Sequence, residues 1–179
     1  MDMNGLCLIV GWPDSFKTFS KIMKKNDIKI ADIKYLIVSH FHMDHAGLAQ
    51  LLRNYGITLL LHEVQNGAVQ TLNNFFIKKP NKLYVPIIND NNNAISSFDS
   101  VNILKGLGID GRIVPTPGHS PDSISLIINN ECAFIGDLPT LEIAYGLNDP
   151  KTLRSWNDLL SFNIKTVYPA HSNTFMVNK

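Results

Sequence analysis

Short apolar runs alternate along the chain with longer stretches in which apolar residues recur every three or four positions. That rhythm predicts alternating strands and helices. Residues 6–10, 35–38 and 57–61 read as buried strands in the first half, and 112–114, 123–128, 133–135 and 166–168 repeat the form in the second. Gly11-Trp12-Pro13 closes the first strand as a turn. Ser15 can then N-cap a helix with Phe16, Phe19, Ile22 and Met23 on one face. Further helices are expected over 46–54, stopped near Gly56, over 63–76, and over 100–107, ending at Gly108. Asp149-Pro150 has the cap-then-proline form of a helix start and turns Leu153, Trp156, Leu159 and Leu160 inward. The segment 78–94 carries two prolines and an Asn/Asp run, the composition of a surface loop, either a mobile lid or a plain solvated connection. No repeat, linker or low-complexity tail divides the sequence, so residues 1–179 are expected to form one domain.

Composition narrows the function. A chain of 179 residues, 45% hydrophobic and 17% charged, can bury a core without disulfide staples. A net charge of +1 argues against a polyphosphate partner, so nucleic acid is not expected. No stretch approaches the roughly 20 apolar residues of a membrane span, and Asp2 stands where a secretory leader would be basic. Cys7 and Cys132 read as buried free thiols in preference to a disulfide. Together these features predict a cytoplasmic protein with a small-molecule substrate and no membrane partner.

Histidine is the residue that points to chemistry. Of six, three fall in His40-Phe41-His42-Met43-Asp44-His45, after a strand and before a helix. Residues two apart in an extended backbone point the same way, so His40 and His42 can converge on one ion. Asp44 and His45, displaced toward the helix, suit a second ion. Without a cation, three imidazoles and an acid would desolvate badly at this density. His119, in Thr116-Pro117-Gly118-His119-Ser120, Asp137, in Gly136-Asp137, and His171, in Pro169-Ala170-His171, each follow an apolar strand. Singly they could be a capping His, a turn Asp and a surface His. Jointly, at strand ends where α/β sheets gather ligands, they complete the first cluster.

In this order these motifs resemble the metallo-β-lactamase-fold hydrolase superfamily. The resemblance implies a mixed α/β fold, a four-layer αββα sandwich with metals at one edge of its two sheets. It implies that His40, His42 and His119 hold one metal, that Asp44, His45 and His171 hold the other, and that Asp137 bridges them. His62, in a His-Glu pair, is expected to be structural, with a substrate contact as the alternative. Nitrogen and oxygen donors without cysteine suit two divalent ions, Zn first, with Fe or Mn as alternatives. Two ions roughly 3.5–4 Å apart can share a bridging water and lower its pKa toward about 7. Asp44 is the candidate catalytic carboxylate, orienting that water and moving its proton.

Similar proteins that destroy β-lactams generally lack either the last His of the first motif or the bridging carboxylate. The presence of both His45 and Asp137 resembles instead the glyoxalase-II and lactonase branches, as a compact member with a small ester, lactone or thioester as substrate. A phosphodiesterase with the same dimetal site, or a catalytically idle metal-binding domain, are the alternatives. Similar proteins also begin with additional strands and an Asp-x-Gly turn, where Ile9-Val10-Gly11 stands here. A shortened N-terminal edge favours a homodimer that covers it, over an internal start or a degenerate relative.

Overall fold

A computed structural model describes residues 5–8, 11–89 and 94–177, and the chain forms two compact units, Met1–Ala94 and Ile95–Lys179. In the first unit, β1 (Gly5–Leu8), β2 (Ile33–Ile37) and β3 (Thr58–His62) pair in that order, each parallel to the next. Two-residue β4 (Ala94–Ile95) takes the far edge, where this unit ends. Parallel neighbours require crossovers. The first is α1 (Phe16–Lys25), and the second combines α2 (Met43–Ala46) with α3 (Ala49–Arg53). After β3 come a 3-10 turn at Glu63–Gln65 and α4 (Ala68–Lys78). Leu36, Val38, Leu48, Leu52, Val69 and Leu72 fill the core of this unit.

Local expectations fail here for identifiable reasons. On α1, Phe16, Phe19 and Met23 pack against the core, but Ile22 is 55% exposed. At about 100° per residue, Ile22 falls a quarter-turn off the stripe set by the other three. The helix expected over 46–54 starts earlier, at Met43, and breaks after Ala46. Gly47 explains the break. A Cβ there would lie 2.5 Å from both the Met43 carbonyl oxygen and Pro13 Cδ, and 2.6 Å from the Gly11 carbonyl oxygen. The Gly11 turn, held by its own φ of 69°, therefore packs on the segment that follows the histidine motif. The helix expected over 63–76 is likewise broken, with Gly67 as the N-cap of α4.

The described part of segment 78–94 is tied by side chains to α3 and α4. Asn73 Oδ1 accepts from the Ile87 amide at 3.0 Å and from the Tyr84 hydroxyl at 2.7 Å, while Gln50 Oε1 accepts from the Ile88 amide at 2.9 Å. Tyr84 stacks on Phe76, and burial pushes its phenol up to about 12. Residues 90–93 lie outside the described residues, as do Ile9 and Val10.

In the second unit, α5 (Ser97–Gly106) starts three residues before its expected position, because Ser96 and Asp99 cap it reciprocally. Strands β5 (Gly111–Pro115), β6 (Ile124–Ile128) and β7 (Cys132–Gly136) form an antiparallel meander. Asn129 and Asn130, at φ 56° and 49°, make the tight β6–β7 turn. A crossover through α6 (Leu141–Gly146) and α7 (Pro150–Ser161) returns β8 (Thr166–Pro169) parallel to β7, and β9 (Phe175–Met176) closes the edge. Asp149 accepts from the Lys151 and Thr152 amides, as the cap-then-proline form predicts. Trp156 and Leu159 are fully buried in this unit's core with Ile127, Ala133 and Val167.

Both cysteines are free, and burial pushes the Cys7 thiol up to about 11. Among the described residues no helix is long and apolar enough to cross a membrane. Gly47→Ala should destabilise the chain by about 1–3 kcal/mol, the usual range for overpacking a close approach. Urea unfolding measures it; an unchanged midpoint would mean that the Gly11 turn does not rest on Gly47.

Candidate metal centre

The histidine motif sits where β2 ends and α2 begins. Val38 completes the apolar run, Ser39 and His40 follow as a bend, and His42 is the N-cap residue of α2 in extended conformation. The four-residue helix carries Asp44 in its first turn and buries His45. His40 Nε2 and His42 Nδ1 approach to 3.0 Å, their rings meeting edge to face at 4.4 Å. Asp44 Oδ2 lies 3.6 Å from His45 Nε2.

Ser39 organises this cluster. Its hydroxyl lies 3.2 Å from His40 Nδ1 and 3.0 Å from His45 Nδ1. One hydroxyl oxygen has two lone pairs and can accept from both rings. Protons on the two Nδ1 atoms put the lone pair of each ring on Nε2, the form in which an imidazole ligates a cation. All three side chains are buried, so the arrangement is shielded from competing water.

Three other predicted residues belong to the second unit. His119 lies on the loop after β5, Asp137 directly after β7, and His171 after β8. The loop carrying His119 is pinned at several points. Thr116 Oγ1 pairs with Ser125 Oγ at 2.7 Å, Ser120 Oγ pairs with Ser123 Oγ at 2.8 Å, and Ser155 donates to the Pro117 carbonyl at 2.7 Å. Asp137 is aimed by Gly136, which has φ 57° and whose carbonyl accepts from the Ala170 amide. The Asp137 carboxylate is divided between two rings. Oδ2 lies 3.6 Å from His119 Nε2, and Oδ1 lies 3.6 Å from His171 Nε2.

These separations suit metal ligands. Two donors, each about 2.0–2.1 Å from one tetrahedral zinc, stand roughly 3.3–3.4 Å apart. At 3.6 Å the carboxylate–imidazole pairs are too long for good hydrogen bonds and close to that ligand spacing. The donor set, imidazole nitrogen and carboxylate oxygen without thiolate, fits a borderline divalent ion.

The sequence profile of the metallo-beta-lactamase superfamily matches residues 10–171. The chain belongs to that superfamily. A Methanocaldococcus jannaschii protein named a probable metallo-hydrolase is 27% identical over 172 residues, covering 90% of this chain and 79% of its own. Among solved structures, the class B3 di-zinc enzyme LRA-12 from an Alaskan soil metagenome aligns with TM-score 0.69 at 14% identity, over 94% of this chain and 69% of its own. The subclass B3 metallo-beta-lactamase BJP-1 of Bradyrhizobium japonicum gives TM-score 0.68 at 19% identity, over 93% and 67%. At these identities the two structures establish the metallo-beta-lactamase fold, with its mixed α/β content and two sheets, and nothing about substrate.

Two further residues complete the description of this superfamily member's motif. Buried His62 caps the 3-10 turn at Glu63–Gln65, its Nδ1 accepting from the Val64 amide at 3.3 Å. Gln65 spans from the His62 amide to the Val38 carbonyl, tying β3 to the end of β2. Burial holds the His62 imidazole below its ordinary pKa, against the opposing pull of Glu63. Ser39 was missed as a participant because a serine closing a strand reads as an ordinary turn residue; the hydroxyl immediately before the first motif His was the available signal. Ser39→Ala should weaken metal affinity by about 10- to 100-fold, the usual effect of losing a group that orients ligating imidazoles. Ser39→Thr should restore most of it. Titration against a chromophoric chelator reads the change, and an unaltered affinity in the alanine variant would remove Ser39 from the site.

Proposed function

We propose that the chain is a dinuclear hydrolase of a small ester, lactone or thioester, in the glyoxalase-II and lactonase-like part of its superfamily. Membership makes it a metal-dependent hydrolase; the two-ion reading rests on one observation. Asp137 presents a different carboxylate oxygen to each of two imidazoles, at equal distances. A carboxylate serving one ion has no need of that division, whereas one bridging two ions has.

In this reading, which carries over the roles that the family resemblance implies, His40, His42 and His119 would hold one ion, Asp44, His45 and His171 the other, and Asp137 would be shared between them. Two divalent ions, zinc first and iron or manganese as alternatives, would supply an activated water and a Lewis acid for the acceptor oxygen. The remaining work belongs to side chains. Asp44, on the first turn of α2, accepts the proton of the attacking water and returns it to the leaving oxygen or sulfur. Ser39 keeps His40 and His45 in one tautomer, and burial of all three excludes water from their inner side. Hydrolysis then consumes one water and releases an acid and an alcohol or thiol.

Metal analysis of protein purified without chelator should give about two equivalents of zinc, iron or manganese, with turnover highest on an ester, lactone or thioester panel. Faster hydrolysis of bis-p-nitrophenyl phosphate would transfer the reading to phosphodiesters. Protein that neither carries nor takes up metal would refute it. Asp137→Ala should lose at least one equivalent and abolish turnover, and unchanged turnover would remove the bridging role.

A further inference from the structure

Next to Asp137 and His171 the second unit carries a cleft of about 300 Å³. Its walls beyond those two and His119 are chiefly Leu138, Pro139, Ile143 and Pro169, and among the described residues no lysine or arginine lines it. Ile143 is held toward it by construction. Thr140 caps α6 by accepting from the Ile143 amide, Ala144 is buried as the anchor of the helix, and Trp156 Nε1 fixes the Pro139 carbonyl at 2.7 Å. Even so, Ile143 remains half exposed, and Leu147, four residues on and so on the same helical ridge, is 74% exposed. A large apolar side chain held half in the open beside a ligand cluster, with a second one turn further along the ridge, calls for an apolar occupant.

We propose that α6 forms an acyl-binding wall, and that the substrate places an uncharged aliphatic chain along Ile143 toward Leu147. This rests on the hydrolase reading above and narrows its substrate class. A carboxylate or phosphate at the far end of that chain would meet an apolar wall with no lysine or arginine among the described residues that line it. A neutral chain gains instead with every methylene it buries, by about threefold to fourfold each when burial is complete.

The test uses the metal-loaded chain and p-nitrophenyl acetate, butyrate, hexanoate and octanoate, with the p-nitrophenyl monoester of adipic acid as the charged counterpart of hexanoate. The kcat/KM should rise about tenfold or more from acetate to hexanoate, and the adipate monoester should fall at least tenfold below hexanoate. Ile143→Asp should collapse the hexanoate-to-acetate ratio about tenfold, Ile143→Lys should favour the adipate monoester, and Leu147→Ala should lower only the octanoate-to-hexanoate ratio. A second readout needs no turnover. The 13C δ-methyl resonance of Ile143, assigned by its loss in Ile143→Val, should shift with hexanamide and not with adipamic acid. A methyl shift without hydrolysis of any ester, lactone or thioester would keep the wall and defeat the hydrolase reading. Hydrolysis indifferent to chain length, with a silent methyl, would defeat the wall alone; silence in both would defeat both.

Discussion

The hydroxyl of Ser39, shared between two buried imidazoles, is the contact on which the histidine motif depends. Imidazoles taken out of water need partners on both ring nitrogens, and an unsatisfied one costs about 1–3 kcal/mol. Ser39 satisfies one nitrogen of His40 and one of His45 with a single oxygen, and it can do so because it stands in the buried bend that follows β2. The other nitrogens are thereby committed to a common purpose. Asp44 and His45 follow on α2, whose C-terminal end at Gly47 packs closely on the Gly11 turn.

The second unit solves the same problem by another route. Its three predicted ligands sit on loops after strands, and hydrogen bonds to the loop backbone hold the segments that carry His119 and Asp137. Serine and threonine hydroxyls brace the segment before and after His119, and Trp156 fixes the segment after Asp137. The backbone of such a loop can be rigid while its side chains stay accessible, which is the condition for a group that must meet both an ion and a substrate.

Legibility in the sequence followed the range of the interactions. The cluster from His40 to His45 could be read because spacing, strand and helix all act within six residues, and the cap at Asp149 because its hydrogen bonds reach only two and three residues on. His119, Asp137 and His171 were ambiguous one by one and became legible only as a set in order. The break at Gly47 was not legible, since it answers a contact with Pro13 and Gly11 more than thirty residues away. Nor was the tethering of Tyr84 and Ile87, which depends on a single Asn73 side chain. Two short elements escaped for a different reason. α6 turns only Leu141 and Ala144 to the core, too short a stripe to show a period, and the two residues of β9 are too few to show alternation.

That short stripe bears on how such a scaffold can diversify. A helix held by a long buried face cannot change its outer side chains without limit, because most of its positions are committed to packing. α6 is committed at Thr140, which caps it, at Leu141, which packs on the core, and at Ala144, which is buried. Ile143 and Leu147, both well exposed, carry little of the stability, and Ile143 lines the cleft beside the ligand cluster while Leu147 follows one turn on. Replacing them should alter what the cleft accepts and leave the core of Ile127, Trp156 and Val167 undisturbed. The groups that would hold the ions are thus fixed by backbone hydrogen bonds and burial, and the groups that would select the substrate are fixed by almost nothing except α6 itself.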